Sequence, residues 1–371
     1  MNTSAFKFGA LPDSYINQLI SERFIKDALL ENVKPSSLDL RIDLKTLVEI
    51  PCVFLPSKNK MSIAETLERL GARTAYVSGK TMLEVGKTYV AKVVENVNLS
   101  QTSGLFARAN PKSSTGRSDI HVQLIADFVP AYDTIPMKWK GDMYVMLRAR
   151  SFPILFTSDI VSLNQIRFFQ DERIIVSGSD LKAVVASGII KNVHHDIPLQ
   201  FSDLIRGNNR IELSLDLRDL GDIPGYVAKR NITKPLVWEK GKNDWGDFFE
   251  PIQKIMDHKA MIFEKGRFYI LSSRESVHIP REYACEMVSF DDTLGEFRSH
   301  YAGFIDNGWG ERSHRPLTLE LRTNEDMYMY HGQPVAHIVL DQMCAPVEKS
   351  YDEIDSNYIN QATARLGKFF R

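Results

Sequence analysis

The chain holds only three cysteines, Cys52, Cys285 and Cys344, odd in number and far apart. That argues against a disulfide framework and points to a reducing compartment. There is no C-x-x-C pair and no H-x-E…P-C-x-x-C signature, so neither a zinc ribbon nor a zinc-type deaminase is expected. The formal net charge over 371 residues is −1, which supplies no global field toward nucleic acid. Any anion site must therefore be a local cluster of cations. Long apolar runs are missing too. The run Ala183–Ile190 lies between Lys182 and Lys191 and is far too short to cross a bilayer. The first residues, "MNTSAFKFGALPDSY", contain no apolar signal core. The expectation is a cytoplasmic soluble protein with neither membrane nor nucleic acid as a partner.

The hydrophobic content of 43% and charged content of 25% are ordinary for a globular chain. The length suggests two domains, and the sequence repeats itself accordingly. "PSSLDLRIDL" (Pro35–Leu44) returns as "ELSLDLRDL" (Glu212–Leu220), "MLEVGKTYV" (Met82–Val90) as "IFEKGRFYI" (Ile262–Ile270), and "VMLRAR" (Val145–Arg150) as "LTLELR" (Leu317–Arg322). The matches run in one order at offsets of 177, 180 and 172, the mark of a duplicated domain. The expected division is residues 1–171 and 172–371.

Each half reads as a short helix followed by many strands. Asp13 is placed as the N-cap of one helix, Ser179 as the cap of its repeat and Gly188 as its stop. Ser62 and Glu65 form a capping box ahead of Gly71. "WGDFFEPIQKIMDHK" (Trp245–Lys259) is expected to be the helical counterpart of that segment. The remainder alternates in short β-branched and aromatic runs separated by turn residues. The fold class expected is mainly β: two tandem barrel-like domains with a few short helices.

One stretch stands out, "FARANPKSSTGRSD", Phe106 to Asp119. Its Gly, Pro, Asn and hydroxyl residues suit a solvated turn. Its cations Arg108, Lys112 and Arg117, set around three hydroxyls, suit an anion. Composition alone leaves both readings open.

Five motifs in order, "KPSSLDLRI", "NPKSSTGR", "AGFIDNGWGE…LTLEL", "GQPVAHIVLDQM" and "SNYINQATARLGKFF", resemble those of the dCTP deaminases. That family shares the trimeric dUTPase-like β-barrel, and this chain resembles its long, duplicated form. The resemblance implies a hydrolase that converts dCTP to dUTP and ammonia without a catalytic metal, supplying dUTP for dUMP and dTTP synthesis. Mg2+ would be bound through the nucleotide triphosphate, with no zinc. The resemblance also implies a homo-oligomer with sites between barrels. A dUTP diphosphatase, a bifunctional enzyme or a non-catalytic nucleotide-binding regulator are the alternatives.

Residue by residue, the resemblance makes Ser113 and Arg117 catalytic, with Lys112 and Ser114 on the triphosphate. Lys112 stands where the family usually has Arg. Two hydroxyls, turn N–H groups and two cations match the many acceptor oxygens of a triphosphate. Backbone groups of Ala302, Gly303, Phe304 and Ile305 would read the pyrimidine, Asp306 would accept the deoxyribose 3′-OH, and Trp309 would lie beside them. Asp306-Asn307-Gly308 also reads as a plain β-turn. Glu320 would be the general base, although a lone Glu in an alternating strand ordinarily points to solvent. The tail from Tyr351 would form a lid with Tyr358 and Gln361 as contacts, unless it is a frayed terminus or a short helix.

The two copies differ where it matters. Arg148 occupies in the first half the place of Glu320 in the second. The stretch of the second half that matches "KSSTGR" reads "MVSFDDTLGEF", which keeps Ser289 but has no Arg and adds Asp291 and Asp292, which would repel phosphate. Neither half holds a whole site. One composite site is expected, from one chain or from two.

Overall fold

The computed structural model describes residues 8–193, 199, 201–218, 223–255, 260–288, 297–299, 303–354, 358 and 361–371. Strands dominate it. In the first half they are ordered 120–126, 143–149, 88–93, 37–50, 160–170, 105–111. In the second half 297–299, 315–323, 268–277, 210–216, 334–342 and 283–288 neighbour one another in the same order. All these pairings are antiparallel. The repeat seen in the sequence is thus a repeat of topology, and each copy curls into a barrel-like sheet around its own apolar core.

Alternation along the strands places the cores. Leu38, Leu40 and Ile42 point into the first, and Leu319 and Leu321 into the second. Residues of the opposite parity are then available to the neighbouring half. The halves are also stitched directly. The strand Ile154–Phe156 pairs antiparallel with Thr81–Leu83 and parallel with Leu236–Val237. Phe248 and Phe249, from the second copy, are buried against Phe152 of the first.

Three local expectations are corrected. Asp13 is not the N-cap. The helix Asp13–Ser21 is preceded by Pro12 at that position, with no side-chain cap. The Asp13 carboxylate instead accepts from the backbone N–H groups of Glu348 and Lys349, and tertiary partners win over the local cap. Ser179 lies inside the helix Gly178–Ala186, whose N-cap residue is Ser177. Trp245–Lys259 does not form the expected helix among its described residues. It makes one 3-10 turn, Trp245–Asp247, and a strand, Phe249–Pro251. Burying the consecutive Phe248 and Phe249 suits a turn and strand better than one helical stripe, and Pro251 lacks the N–H a helix interior needs. The capping box of Ser62 and Glu65 forms as expected, and Gly71 and Gly188 take positive φ.

Candidate active site

The strand Leu105–Pro111 ends at Pro111, which cannot donate to a ladder, and the chain turns into a single helical turn, Ser113–Gly116. Two bonds to one carbonyl fix this turn: Lys112 N–H and Thr115 Oγ1 both donate to Leu163 O, at 3.0 and 2.9 Å. The turn is therefore neither solvated nor loose, and Ser114, Thr115, Gly116 and Arg117 are buried.

Across from it lies Glu320, on the strand Arg315–Thr323 of the second copy. Leu319 and Leu321 occupy the core side of that strand, so Glu320 faces outward from its own barrel. It does not face water. Glu320 is only 3% exposed because the first copy covers it. The approach is so close that a Cβ built on Gly116 would lie 2.7 Å from Glu320 Cδ. A side chain at 116 would therefore displace the carboxylate from this place.

The strand Phe304–Ile305 pairs antiparallel with Glu286 and Cys285. Gly303 N–H donates to Asn110 Oδ1 of the first copy at 2.7 Å, and Gly303 O accepts from Met287 N–H at 2.7 Å. A Cβ on Gly303 would lie 2.9 Å from both Asn110 Nδ2 and Met287 O. Asp306 to Trp309 is a β-turn closed by Trp309 N–H to Asp306 O at 3.1 Å. It also presents the Asp306 carboxylate inward. Burial pushes the Asp306 carboxyl up to about 6, against the opposing field of Arg167, while Asp39 adds to the rise.

The tail is bound rather than frayed. The Arg117 guanidinium stacks 3.9 Å from the Tyr358 ring and donates to Gln361 Oε1 at 3.1 Å and to Arg365 O at 2.9 Å. Gln361 Nε2 donates in turn to Pro316 O of the second copy at 2.9 Å. Farther on, Phe369 packs 3.9 Å from Trp238, and Asn243 N–H and Nδ2 donate to Phe369 O. The segment is a strap fixed beyond the site as well as across it.

These elements enclose one cavity of about 270 Å3, near the small end of ligand pockets. Lys112, Ser113, Ser114, Arg117, Phe304, Ile305, Asp306, Trp309, Glu320 and Tyr358 all line it. Gly303 and Gln361 stand just behind the wall. Ala302, Ser289, Asp291, Asp292 and Asn357 lie outside the described residues. Residues of both copies of this one chain line the same cavity.

Other lining residues fall inside the motifs "KPSSLDLRI" and "SNYINQATARLGKFF" but were given no role by the sequence. Lys34, Asp39 and Lys368 join Lys112 at one end, where Lys112 Nζ donates to Asp39 and to Ser162 Oγ and Lys34 Nζ is 3.9 Å from Asp39. Burial and the nearby Lys112 charge lower the Lys368 ammonium below its usual range. Three cations around one carboxylate leave that end positive. Several buried polar atoms of the lining have no hydrogen-bond partner among the described residues: Arg117 Nε, Trp309 Nε1 and Thr318 Oγ1, which can donate, and Asp306 Oδ1, which can accept. Buried polar groups are ordinarily paired, so the wall is complementary to a ligand with both donors and acceptors.

Residues 7–172 match the family described as 2'-deoxycytidine 5'-triphosphate deaminase (DCD) N-terminal domain, and residues 187–370 match the corresponding C-terminal domain. No curated protein sequence matches the chain. The structure is similar to the crystal structure of 2'-deoxycytidine 5'-triphosphate deaminase from Agrobacterium tumefaciens, with a TM-score of 0.79 and 32% identity over 92% of this chain and 97% of that one. With both of its tandem domains matched, this chain belongs to the dCTP deaminase family, in its long, duplicated form.

Proposed function

We propose that the chain hydrolyses dCTP to dUTP and ammonia, with Glu320 as general base. The observation that carries this is the burial of Glu320 against the Ser113–Arg117 turn, in the same cavity as the hairpin Gly303–Trp309.

The triphosphate binds at the end formed by Lys34, Lys112 and Lys368, where compact ammonium groups act as point charges for phosphate oxygens. Its Mg2+ is part of the substrate and is held through the phosphates and water. The hairpin takes the pyrimidine, and Asp306 accepts from the 3′-OH. A water held beside Ser113 and Arg117 loses a proton to Glu320 and adds to C4 of the cytosine. Ring N3 gains a proton as the C4 centre becomes tetrahedral. The 4-amino group then receives a proton and leaves as ammonia as the C4 carbonyl forms. Glu320 carries both protons, and Arg117 and Ser113 stabilise charge near the attacking oxygen. The Tyr358–Gln361 strap excludes bulk water.

The product supplies the chemistry that makes dUMP and then dTTP. The test is incubation with dCTP and with dUTP plus Mg2+, measuring ammonia and pyrophosphate. Ammonia alone is expected. Pyrophosphate would show a diphosphatase or bifunctional enzyme, and binding with neither product would show a regulator. Glu320→Gln is expected to lower ammonia release by about 10²–10⁴-fold, the range for a general base, with dCTP binding retained. Unchanged release would overturn the assignment.

A further inference from the structure

Arg167 lies on the strand Ile160–Gln170 of the first copy and is wholly buried. Nothing in the sequence motifs marks it. Its guanidinium crosses into the second copy. Nε donates to Ser36 O at 3.3 Å, Nη1 donates to Cys285 O at 3.1 Å, and the plane lies 4.2 Å from the Phe304 ring. Asp341 Oδ2 is 3.8 Å from Nη1. Nη2 is 4.0 Å from Asp306 Oδ1, and neither of those two atoms has a hydrogen-bond partner among the described residues.

A buried guanidinium is retained only where specific partners hold it. Arg167 has two carbonyls, an aromatic face and Asp341 for three of its sides. Its remaining N–H edge is directed at Asp306, the carboxylate read as the sugar contact. Arg167 lies behind the pocket wall rather than in it: Phe304, under the guanidinium, lines the cavity and leads through Ile305 into Asp306, which lines it too.

We infer that Arg167 is a positioning residue for deoxyribose recognition, orienting Asp306 and keeping it an ionised acceptor for the substrate's 3′-OH. The inference rests on the reading of Asp306 in the proposed function. The charged groups that face Asp306 are Arg167, Asp39, Lys34 and Lys112. Arg167 is the strongest of those favouring the ionised form, and Asp39 opposes it. Asp341, Glu286 and Cys285 face Arg167 from the second copy. Loss of Arg167 therefore shifts Asp306 toward its protonated form at a given pH.

The experiment uses the full chain as wild type, Arg167→Lys, Arg167→Met and Asp306→Asn. Ammonia release is measured from dCTP and from 2′,3′-dideoxycytidine triphosphate, which lacks the 3′-OH, between pH 5 and 9. Wild type should favour dCTP in KM, with the preference fading as pH falls below about 6. Arg167→Met should raise the dCTP KM about tenfold, the scale of one charge-assisted hydrogen bond, and move the fading to higher pH. Its kcat and its KM for the dideoxy substrate should stay near wild type. Arg167→Lys keeps the charge and the fold, so it should keep the pH profile while losing part of the preference. Asp306→Asn should abolish the pH dependence. Equal rises in KM for both substrates, or an unshifted profile in Arg167→Met, would overturn the inference while leaving Asp306 as the sugar contact. Should Arg167→Met not fold, an Arg167→Lys enzyme with undiminished preference would overturn it. A wild type indifferent to the 3′-OH would remove the Asp306 reading and the inference together.

Discussion

Gly116 and Glu320 face each other across the boundary between the two copies, the first giving up a side chain so that the second can be seated. Gly116→Ala should therefore displace the carboxylate without touching the phosphate end. The expected result is a fall in kcat of about 10²-fold, the cost of misplacing a catalytic group by about 1 Å, with KM for dCTP within a few-fold of wild type. Steady-state ammonia release checks this, and an unchanged kcat would show that Glu320 does not act from this position.

Both copies of one chain line the cavity, and a site built this way predicts that inactive variants do not complement. Arg117→Ala and Glu320→Gln proteins, mixed under conditions where subunits exchange, are each expected to stay inactive. Recovery of activity in the mixture would mean that chains share sites.

The strap couples the site to the first core. Gln361→Ala removes the bond to Arg117 and should raise KM for dCTP with little effect on stability. Phe369→Ala, whose ring packs in the first core against Trp238 and does not line the cavity, should instead destabilise the fold by about 3–5 kcal/mol through loss of a buried aromatic. Thermal melting and KM measured on both variants separate the two roles. Deletion after Tyr351 removes both sets of contacts and should do both.

Glu275 gives a pH prediction that does not involve substrate. It is buried, accepts from Ser214 N–H and Oγ at 2.7 and 2.6 Å, and burial pushes its carboxyl up to about 7. A folded-state value above the unfolded one means that the native state holds the proton more tightly. The resulting stability is fully present below about 4.5 and is lost as pH rises through about 7. The span amounts to about 3 kcal/mol. Glu275→Gln should flatten the fall in melting temperature between pH 5 and 8, and an unaltered slope would assign it to other groups.

The repeats made the duplicated fold legible, because each conserves a strand pattern that the sheet order reproduces. The mismatch of Arg148 with Glu320 made the split site legible too. What stayed hidden depends on tertiary approach. Lys34, Asp39 and Lys368 lie inside the sequence motifs, yet their role at the site shows only when the fold brings them beside Lys112. Asn110 sits inside the same turn-rich stretch, yet its grip on Gly303 needs the second copy. Glu320 reads as solvent-facing from its own strand, and only the neighbouring barrel buries it. Asp13 and Trp245–Lys259 misled for the same reason, since distant partners overrode their local patterns.

Joining the two barrels in one chain has a consequence for dilution. Where the two halves of a cavity lie on separate subunits, their encounter depends on protein concentration. Here the encounter of Ser113–Arg117 with Glu320 is intramolecular, at an effective concentration on the order of millimolar or more. The half-sites therefore stay together in dilute solution, and specific activity should hold constant far below the concentrations at which separate subunits would part.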